Sequence, residues 1–581
     1  MTGDHNLSSL IWGFADLLRN NIEEANYHRV ILPLTLLRRF DCVLSSGEKG
    51  KTAKDKIKLV VEKQGKLLSG STADRKSFDD MAVSVTGVSF YNIANLDFDA
   101  LAASSPANVL SNFRTYIDGF SDNVKDILES FSFTGGTPYL EVLSRKGILT
   151  GITQRFANLD LSPAALPNED MGELYEELVR KWADSIKAAA GEFFTPRDIV
   201  HLLVDLVLSP DDDRLSGAGT IRTAYDPTIG TGGMLTVAEA HARAANPNLR
   251  LNLYGQELKD ISYAVCKADL LIKHSGMTDQ VEFSVEHGNT LVDDKFVGKS
   301  FDYVMSNPPY GSPWGGKSLN EMEQAIRGQT HRFPGGFPQT GDSALLFVQH
   351  VVSKMKPASE GGARAGIVLA GSPLFNGDAG SGESEIRRYL IENDLIEAIV
   401  ALPTELFFDT GIGTFLWILS NRKIAERKGK IQLIDARELA AKVRKPTGMK
   451  RYEISEELRA QILEVYNDFG TDTQLSKVYD GAFFGYRKVK VKLGKESDYE
   501  RVGLDEDIPE YMTREVLPFE PSAVVDKKYT DARTEELGRV GYEINFNRYF
   551  YVAKELEASA TILKRIQELE GEFVELMKGV S

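Results

Sequence analysis

The sequence has only two cysteines, Cys42 and Cys266, in 581 residues. Both fall within amphipathic stretches, so they read as buried thiols of a cytosolic protein, which excludes a disulfide framework or a thiolate metal site. No apolar run is long enough to span a bilayer, and no membrane partner is expected. The opening residues Met1-Thr2-Gly3-Asp4-His5 lack the basic-then-apolar pattern of a secretory signal, so a cytoplasmic location is expected. An excess of positive charge is also missing: 84 acidic against 68 basic residues leave a net charge of −16. Such a chain is poorly suited to gripping a phosphate backbone unaided over a wide surface. If nucleic acid is its substrate, a basic partner or a local basic groove supplies most of the attraction.

What is present is ordinary globular composition, 42% hydrophobic and 26% charged. The length is too great for one core, so two or three domains are expected. Residues 1–165 read as a helical N-terminal domain. Leu10, Phe14, Leu17 and Leu18 recur at helical spacing, and Ile31, Leu34, Leu37 and Phe40 begin another such face. Residues 69–106, rich in Ser, Asp and Ala, read as mostly loop. Asn168 to Tyr175 opens a new helix with an acidic first turn.

From about residue 190 strands and helices alternate. Strands are expected at 220–225, 251–255, 281–285, 301–305, 366–370 and 396–402, and helices at 232–245, 261–274, 343–355 and 386–392. Residues 414–419 and 431–434 close the series as strands at or near a sheet edge. This predicts an α/β domain over 166–443, a doubly wound, mostly parallel Rossmann-like sheet with helices on both faces. Such sheets bind ligands beyond the carboxyl ends of their strands. Residues 311–340, rich in Gly and Pro, read as a long functional loop. Residues 444–531 read as a charged extension, and 532–581 as a C-terminal segment. In its last helix Ile562, Ile566, Leu569, Phe573 and Leu576 form a short heptad seam. The seam suits either packing on the chain's own domain or a partner.

Three motifs carry chemistry. Asp226-Pro227-Thr228-Ile229-Gly230-Thr231-Gly232-Gly233 follows a strand directly. Its glycines allow a sharp turn and close approach of backbone N–H groups to a ligand. Glu257 ends the next strand, 24 residues beyond Gly233. An acid there accepts from ribose hydroxyls in many doubly wound sheets. The bland alternative is a solvated carboxylate at a helix start. Asn307-Pro308-Pro309-Tyr310 follows a further apolar run. An Asn oxygen and a proline carbonyl both accept from an exocyclic amine, proline stiffens the backbone, and Tyr310 offers a ring face to a flat base. Upstream, Glu192-Phe193-Phe194-Thr195-Pro196-Arg197 reads first as a helix N-terminus, with Thr195 as cap and Pro196 at the first helical position.

Taken in order, these segments resemble the N6-adenine DNA methyltransferases. More closely, nearly the whole chain is similar to the modification subunit of type I restriction-modification systems. The similarity includes the helical N-terminal domain and continues through Gly341-Asp342-Ser343 and Gly411-Ile412-Gly413-Thr414 to Gly541–Phe550. The motif order looks like the gamma arrangement. The resemblance implies a methyltransferase sheet and S-adenosyl-L-methionine as cofactor. Glu192, Phe193, Phe194, Thr195, Pro196 and Arg197, with Thr231, Gly232 and Gly233, would hold its methionine part beside Asp226 and Gly230. Glu257 would hold the ribose, and Asn289 would lie near the adenine. Asn307, Pro308, Pro309 and Tyr310 would be catalytic, and no metal is implied.

The resemblance also implies double-stranded DNA as substrate and a separate specificity subunit that reads its sequence. The C-terminal helix would dock on that subunit, two copies of this chain would serve one such subunit, and a restriction subunit would complete the complex. This chain shows no helicase or nuclease signature of its own. The segment 444–531 matches no motif. A stand-alone DNA methyltransferase would place recognition there, using Lys488, Lys490 and Lys492. A protein glutamine N5-methyltransferase also uses Asn-Pro-Pro-Tyr, because both substrates present a planar amine.

Overall fold

The computed structural model describes residues 4–578 apart from 136–137, 186–194, 218–219, 275–281, 409, 471–472 and 552–558. It divides into two compact units, Met1–Ile544 and Asn545–Ser581.

The first unit begins with helices. Asp4–Gly13, His28–Ser45 and four more helices between Val109 and Ala157 surround a core that includes Leu34, Phe40, Phe113, Ile127 and Phe156, while Ala53–Gln64 and Thr72–Thr86 pack on each other in a smaller cluster of Ile57, Val60, Phe78, Ala82 and Tyr91. The helix Asn168–Ser185 joins this core through Met171, Leu174 and Leu178. So does the helix Asp260–Lys273, through Ala264, Ala268 and Leu271. The 69–106 stretch is not mostly loop. Ser71 and Asp74 form a capping box that starts Thr72–Thr86, and Phe78 and Ala82 anchor that helix fully buried. The capping box supplies acceptors for two N–H groups at the helix start, those of Ser71 and Asp74, which helps a helix with few apolar residues to form.

The central sheet has nine strands. In chain order they are β1 (Ile221–Asp226), β2 (Arg250–Glu257), β3 (Phe283–His287), β4 (Tyr303–Ser306), β5 (Arg364–Ala370), β6 (Ile396–Ala401), β7 (Thr414–Ser420) and β8 (Lys430–Asp435), and later β11 (Ser476–Asp480). The spatial order is β11-β8-β6-β7-β5-β4-β1-β2-β3. Only β7 and β11 run against the rest. Buried runs such as Ile-Glu-Ala-Ile-Val-Ala in β6 are what a sheet covered on both faces requires. One edge expectation changes. β7 lies inside the sheet between β5 and β6, because Leu416, Trp417, Ile418 and Leu419 are fully buried. β8 lies near the edge as expected, with only β11 beyond it.

The 444–531 segment is not a separate extension. The expected boundary after residue 443 falls inside β9 (Ala441–Thr447), which pairs with β10 (Lys450–Glu453) as a hairpin. The helix Glu456–Asp468 then packs Ile462 and Tyr466 into the sheet's core. Tyr466 donates to Glu397 at 2.6 Å, Arg364 donates to Glu397 at 2.8 Å and to Tyr466 Oη at 2.7 Å, and all three are buried. Beyond β11, β12 (Gly485–Leu493) pairs antiparallel with β13 (Glu496–Gly503), β14 (Val524–Val525) and β15 (Arg539–Tyr542) in a small second sheet. Of the lysines on β12, Lys488 pairs with Asp378 and Lys492 with Asp526.

The second unit holds the short helix Phe546–Tyr549, with Phe546 stacked on Phe550, and the helix Ser559–Lys578. Along the latter, Ile562, Ile566, Leu569 and Phe573 are 45–64% exposed, so the seam is open to solvent over these residues.

Candidate active site

The carboxyl ends of β1, β2, β3 and β4 meet along one edge and are stitched together by side chains. After β1 the chain turns through Asp226–Gly232 into the helix Gly233–Ala245, whose cap, Gly232, has φ +89°. A Cβ at Gly232 would lie 2.9 Å from Cys266 Sγ, so both conformation and space require glycine. Thr228 Oγ1 lies 2.8 Å from Ser306 Oγ, which joins this turn to β4. From the loop after β3, Thr290 Oγ1 donates to the Pro227 carbonyl at 2.6 Å. Ser306 and Thr290 were not singled out in the sequence, and the glycine motif that contains Thr228 gave no sign of its partner, since each of these pairs spans more than 60 positions.

Glu257 is 9% exposed and is not a solvated carboxylate. Its Oε2 accepts from Gly230 N at 2.8 Å and its Oε1 from Lys259 N at 2.8 Å. It therefore braces the glycine turn and retains lone pairs for a ligand hydroxyl. Burial raises its carboxyl above the ordinary glutamate range. Asp226 is 2% exposed, and burial, together with the facing Glu257, pushes its carboxyl up to about 7. The Thr228 N–H, donating to Asp226 Oδ1 at 2.9 Å, offsets part of this rise. Asn289 Oδ1 accepts from Leu291 N at 3.0 Å, which shapes the loop after β3.

At the end of β4, Asn307 is half-buried and held from both sides. Its Nδ2 donates to Thr195 Oγ1 at 2.8 Å, and its Oδ1 accepts from Tyr310 Oη at 2.9 Å. Pro308 is buried and Pro309 exposed. The Tyr310 ring meets Phe407 edge to face, centroids 6.2 Å apart. Phe407 gave no sequence signal, since it belongs to the loop after β6. Thr195 does not cap the helix Arg197–Leu208; the cap position is Pro196, not the first helical position, and it makes no side-chain cap bond. The hydroxyl expected to cap the helix instead bonds Asn307, and this brings the Thr195-Pro196 segment to the Asn-Pro-Pro-Tyr turn. Arg197 turns away, its guanidinium 2.8 Å from Glu176 on Asn168–Ser185. Glu192, Phe193 and Phe194 lie outside the described residues.

The loop of residues 311–340 is folded onto this edge. It contains the helix Asn320–Arg327 and a fully buried Trp314. Arg332, 3% exposed, donates to the Thr290 carbonyl at 2.8 Å, to that of Leu291 at 3.2 Å and to His350 Nδ1 at 2.6 Å. Burial and the adjacent Arg332 hold His350 well below the ordinary histidine range, so it stays neutral and can accept. Both cysteines are free and buried. Among the described residues no helix is long and apolar enough to cross a membrane.

The sequence profile of the N-6 DNA methylase family matches residues 167–483, and that of the HsdM N-terminal domain matches 7–143. The first match runs past residue 443 to the end of β11, as the shared core requires. The chain is 25% identical over 488 residues to the type I restriction enzyme MjaIX methylase subunit of Methanocaldococcus jannaschii, covering 82% of this chain and 79% of that one. It is 27% identical to the HindI methylase subunit of Haemophilus influenzae, over 46% of this chain and 54% of that one. Its fold matches the methyltransferase subunit of a type I restriction-modification system from Streptococcus thermophilus with a TM-score of 0.60 at 20% identity, covering 82% and 96% of the two chains. A sheet edge built around Asn-Pro-Pro-Tyr and a glycine turn thus coincides with a DNA, not a protein-glutamine, methylase profile, and the chain belongs to the N-6 DNA methylase family as a type I modification subunit.

Proposed function

We propose that this chain moves the methyl group of S-adenosyl-L-methionine to N6 of an adenine flipped out of double-stranded DNA, at a sequence chosen by a separate specificity subunit. The observation that carries the reading is Asn307, fixed between Thr195 and Tyr310 beside the glycine turn. The chemistry of the edge suits this cofactor. Two buried carboxylates, Asp226 and Glu257, favour a cationic ligand, and Glu257 keeps acceptor capacity for ribose hydroxyls. Asn289 would lie near the adenine ring, and Thr195, Thr231, Gly232 and Gly233 near the methionine part. Pro196 and the 192–194 segment would flank it, while Arg197 would brace the segment through Glu176. When bound, the cofactor supplies an electrophilic methyl carbon.

The chain's own residues prepare the amine. Adenine N6 is a poor nucleophile because its lone pair is delocalised into the ring, and the base is out of reach in a duplex until flipped. Asn307 Oδ1 and the Pro308 carbonyl would accept from the N6 hydrogens and so favour a pyramidal nitrogen. Thr195 fixes the Asn307 amide with its oxygen toward Tyr310. That oxygen has two lone pairs, so it can keep the Tyr310 bond and still accept from substrate. These acceptors matter most as positive charge develops on N6, and positioning supplies the larger part of the acceleration. Tyr310 would stack on the flipped base, a contact worth roughly 1–3 kcal/mol. The open seam of Ser559–Lys578 would dock on the specificity subunit, with two copies of this chain per specificity subunit and a restriction subunit completing the assembly.

The test is single-molecule sequencing of DNA from a host without adenine methylation, expressing this chain with and without its specificity subunit. N6-methyladenine is expected at one two-part sequence, only with both present. Asn307→Ala should abolish it while S-adenosyl-L-methionine still binds. Methylation retained in that variant would overturn the assignment of Asn307.

A further inference from the structure

The hairpin β9–β10 stands apart from an otherwise acidic chain. Between Leu439 and Tyr452 there are five basic residues and no acidic one, in a protein of net charge −16. Lys442, Arg444 and Lys445 are exposed and form no ion pair among the described residues. Arg437, just before the hairpin, is paired with Asp435, and Arg459, just after it, with Asp205. A solvated strand face would be expected to mix signs.

The hairpin is also rigidly seated, and its seat is the active-site edge. β9 follows β8, whose carboxyl end lies on the same edge as those of β1 and β4, since β7 reverses the direction between β5 and β6. Lys450 is buried, and its Nζ donates to Asp198 at 2.9 and 3.0 Å and to the Leu406 carbonyl at 3.0 Å. Asp198 also accepts from Ile454 N at 2.9 Å. Met449 N donates to the Phe408 carbonyl at 2.8 Å. Gly448 has φ +55°, and a Cβ there would sit 2.2 Å from Phe408 O, so only glycine fits the tip. Asp198 lies three residues after Thr195, which bonds Asn307, and Phe407 touches the Tyr310 ring. The hairpin is therefore tied to both segments that position the catalytic turn.

We infer that this hairpin is a phosphate clamp: Lys442, Arg444 and Lys445 contact the backbone of the DNA whose base enters the site. This rests on the proposed function. It supplies the local basic surface that an acidic chain needs, and it places that surface where a duplex must lie for its base to reach Asn307. Phosphate contacts position the duplex and carry no sequence information.

The test uses the complex of this chain with its specificity subunit, wild type and with Lys442→Ala, Arg444→Ala and Lys445→Ala combined. Binding to target and non-target duplexes is followed by fluorescence anisotropy across a KCl series. The variant should bind both more weakly, and the slope of log K against log salt should become shallower by about 0.9 for each phosphate that the variant no longer neutralises. S-adenosyl-L-methionine binding and the rate at saturating DNA should be unchanged. The charge-conserving Lys442→Arg, Arg444→Lys, Lys445→Arg variant should keep the wild-type slope. An unchanged slope in the alanine variant of a complex that still methylates DNA overturns the clamp alone. So does an unchanged slope with loss of the specificity subunit on purification, which would make the hairpin a protein contact. A wild-type complex that neither binds nor methylates DNA overturns the proposed function, and the clamp with it.

Discussion

Replacing Asp226 by Asn separates a structural carboxylate from one kept for a ligand. Asp226 is buried, and its carboxyl sits at about 7 against an ordinary 3.8, raised first by burial and also by Glu257. A raised carboxyl favours the folded state in its protonated form. Its contribution is complete below pH 3.8 and is lost as pH climbs through 7. The gap corresponds to about 4 kcal/mol, spread at roughly 1.4 kcal/mol per pH unit. Asn keeps an oxygen for the Thr228 N–H and cannot ionise, so the variant lacks this slope. Its buried NH2 costs about 1–3 kcal/mol if unpaired. Native-state hydrogen exchange of β1 amides, measured at several pH values from 5 to 8, reads the local stability directly. The wild type should weaken by about 2–3 kcal/mol relative to the variant between pH 5 and 7, then run parallel to it. At pH 8 the variant should be at least as stable without cofactor, yet bind S-adenosyl-L-methionine more weakly. Parallel profiles across the whole range would refute the reasoning.

Other substitutions test neighbouring parts of the argument. Thr195→Val removes the acceptor for Asn307 Nδ2, worth about 0.5–1.5 kcal/mol, so turnover should fall roughly two- to tenfold and recover in Thr195→Ser. If Thr195 also holds the cofactor, its KM for S-adenosyl-L-methionine rises as well; an unchanged kcat would remove the positioning role. Glu397→Ala strands Arg364 beside Tyr466 and should cost about 3–5 kcal/mol in urea denaturation, because it leaves a buried charge unpaired. Arg364, Arg427 and the Tyr466 hydroxyl hold the Glu397 carboxyl below its ordinary 4.5 despite burial. Its stabilisation is therefore present above pH 4.5 and drains away as pH falls further, which an acid titration of wild type against Glu397→Gln would show.

Much of the sheet was legible because buried parallel strands are written as short apolar runs between turn residues. The expected strands at 220–225 and 396–402 lie within a residue or two of β1 and β6. Periodicity could not place β7, since a run such as Phe-Leu-Trp-Ile-Leu suits any buried position and says nothing about which neighbours it has. Nor could it assign Glu456–Asp468, whose burial rests on a few residues, Ile462 and Tyr466 among them, in an otherwise polar helix. The loop of 311–340 hid a buried Trp314 and Arg332, because isolated large side chains among Gly and Pro carry no period.

The sequence by itself determined the chemistry available: an Asn and a proline carbonyl for an amine, a glycine turn, two acids, and a basic stretch in an acidic chain. It determined these because each is a local arrangement of a few consecutive residues, whose backbone and donor properties travel with them. Only the tertiary structure decided what those groups face. Asn307 is oriented by Thr195 from 112 positions away, Glu257 braces Gly230, and Lys450 pins the basic hairpin to Asp198 across 252 positions. Such pairings are set by how strands stack side by side, and a hydrogen bond between distant residues leaves no spacing in the chain from which it could be read.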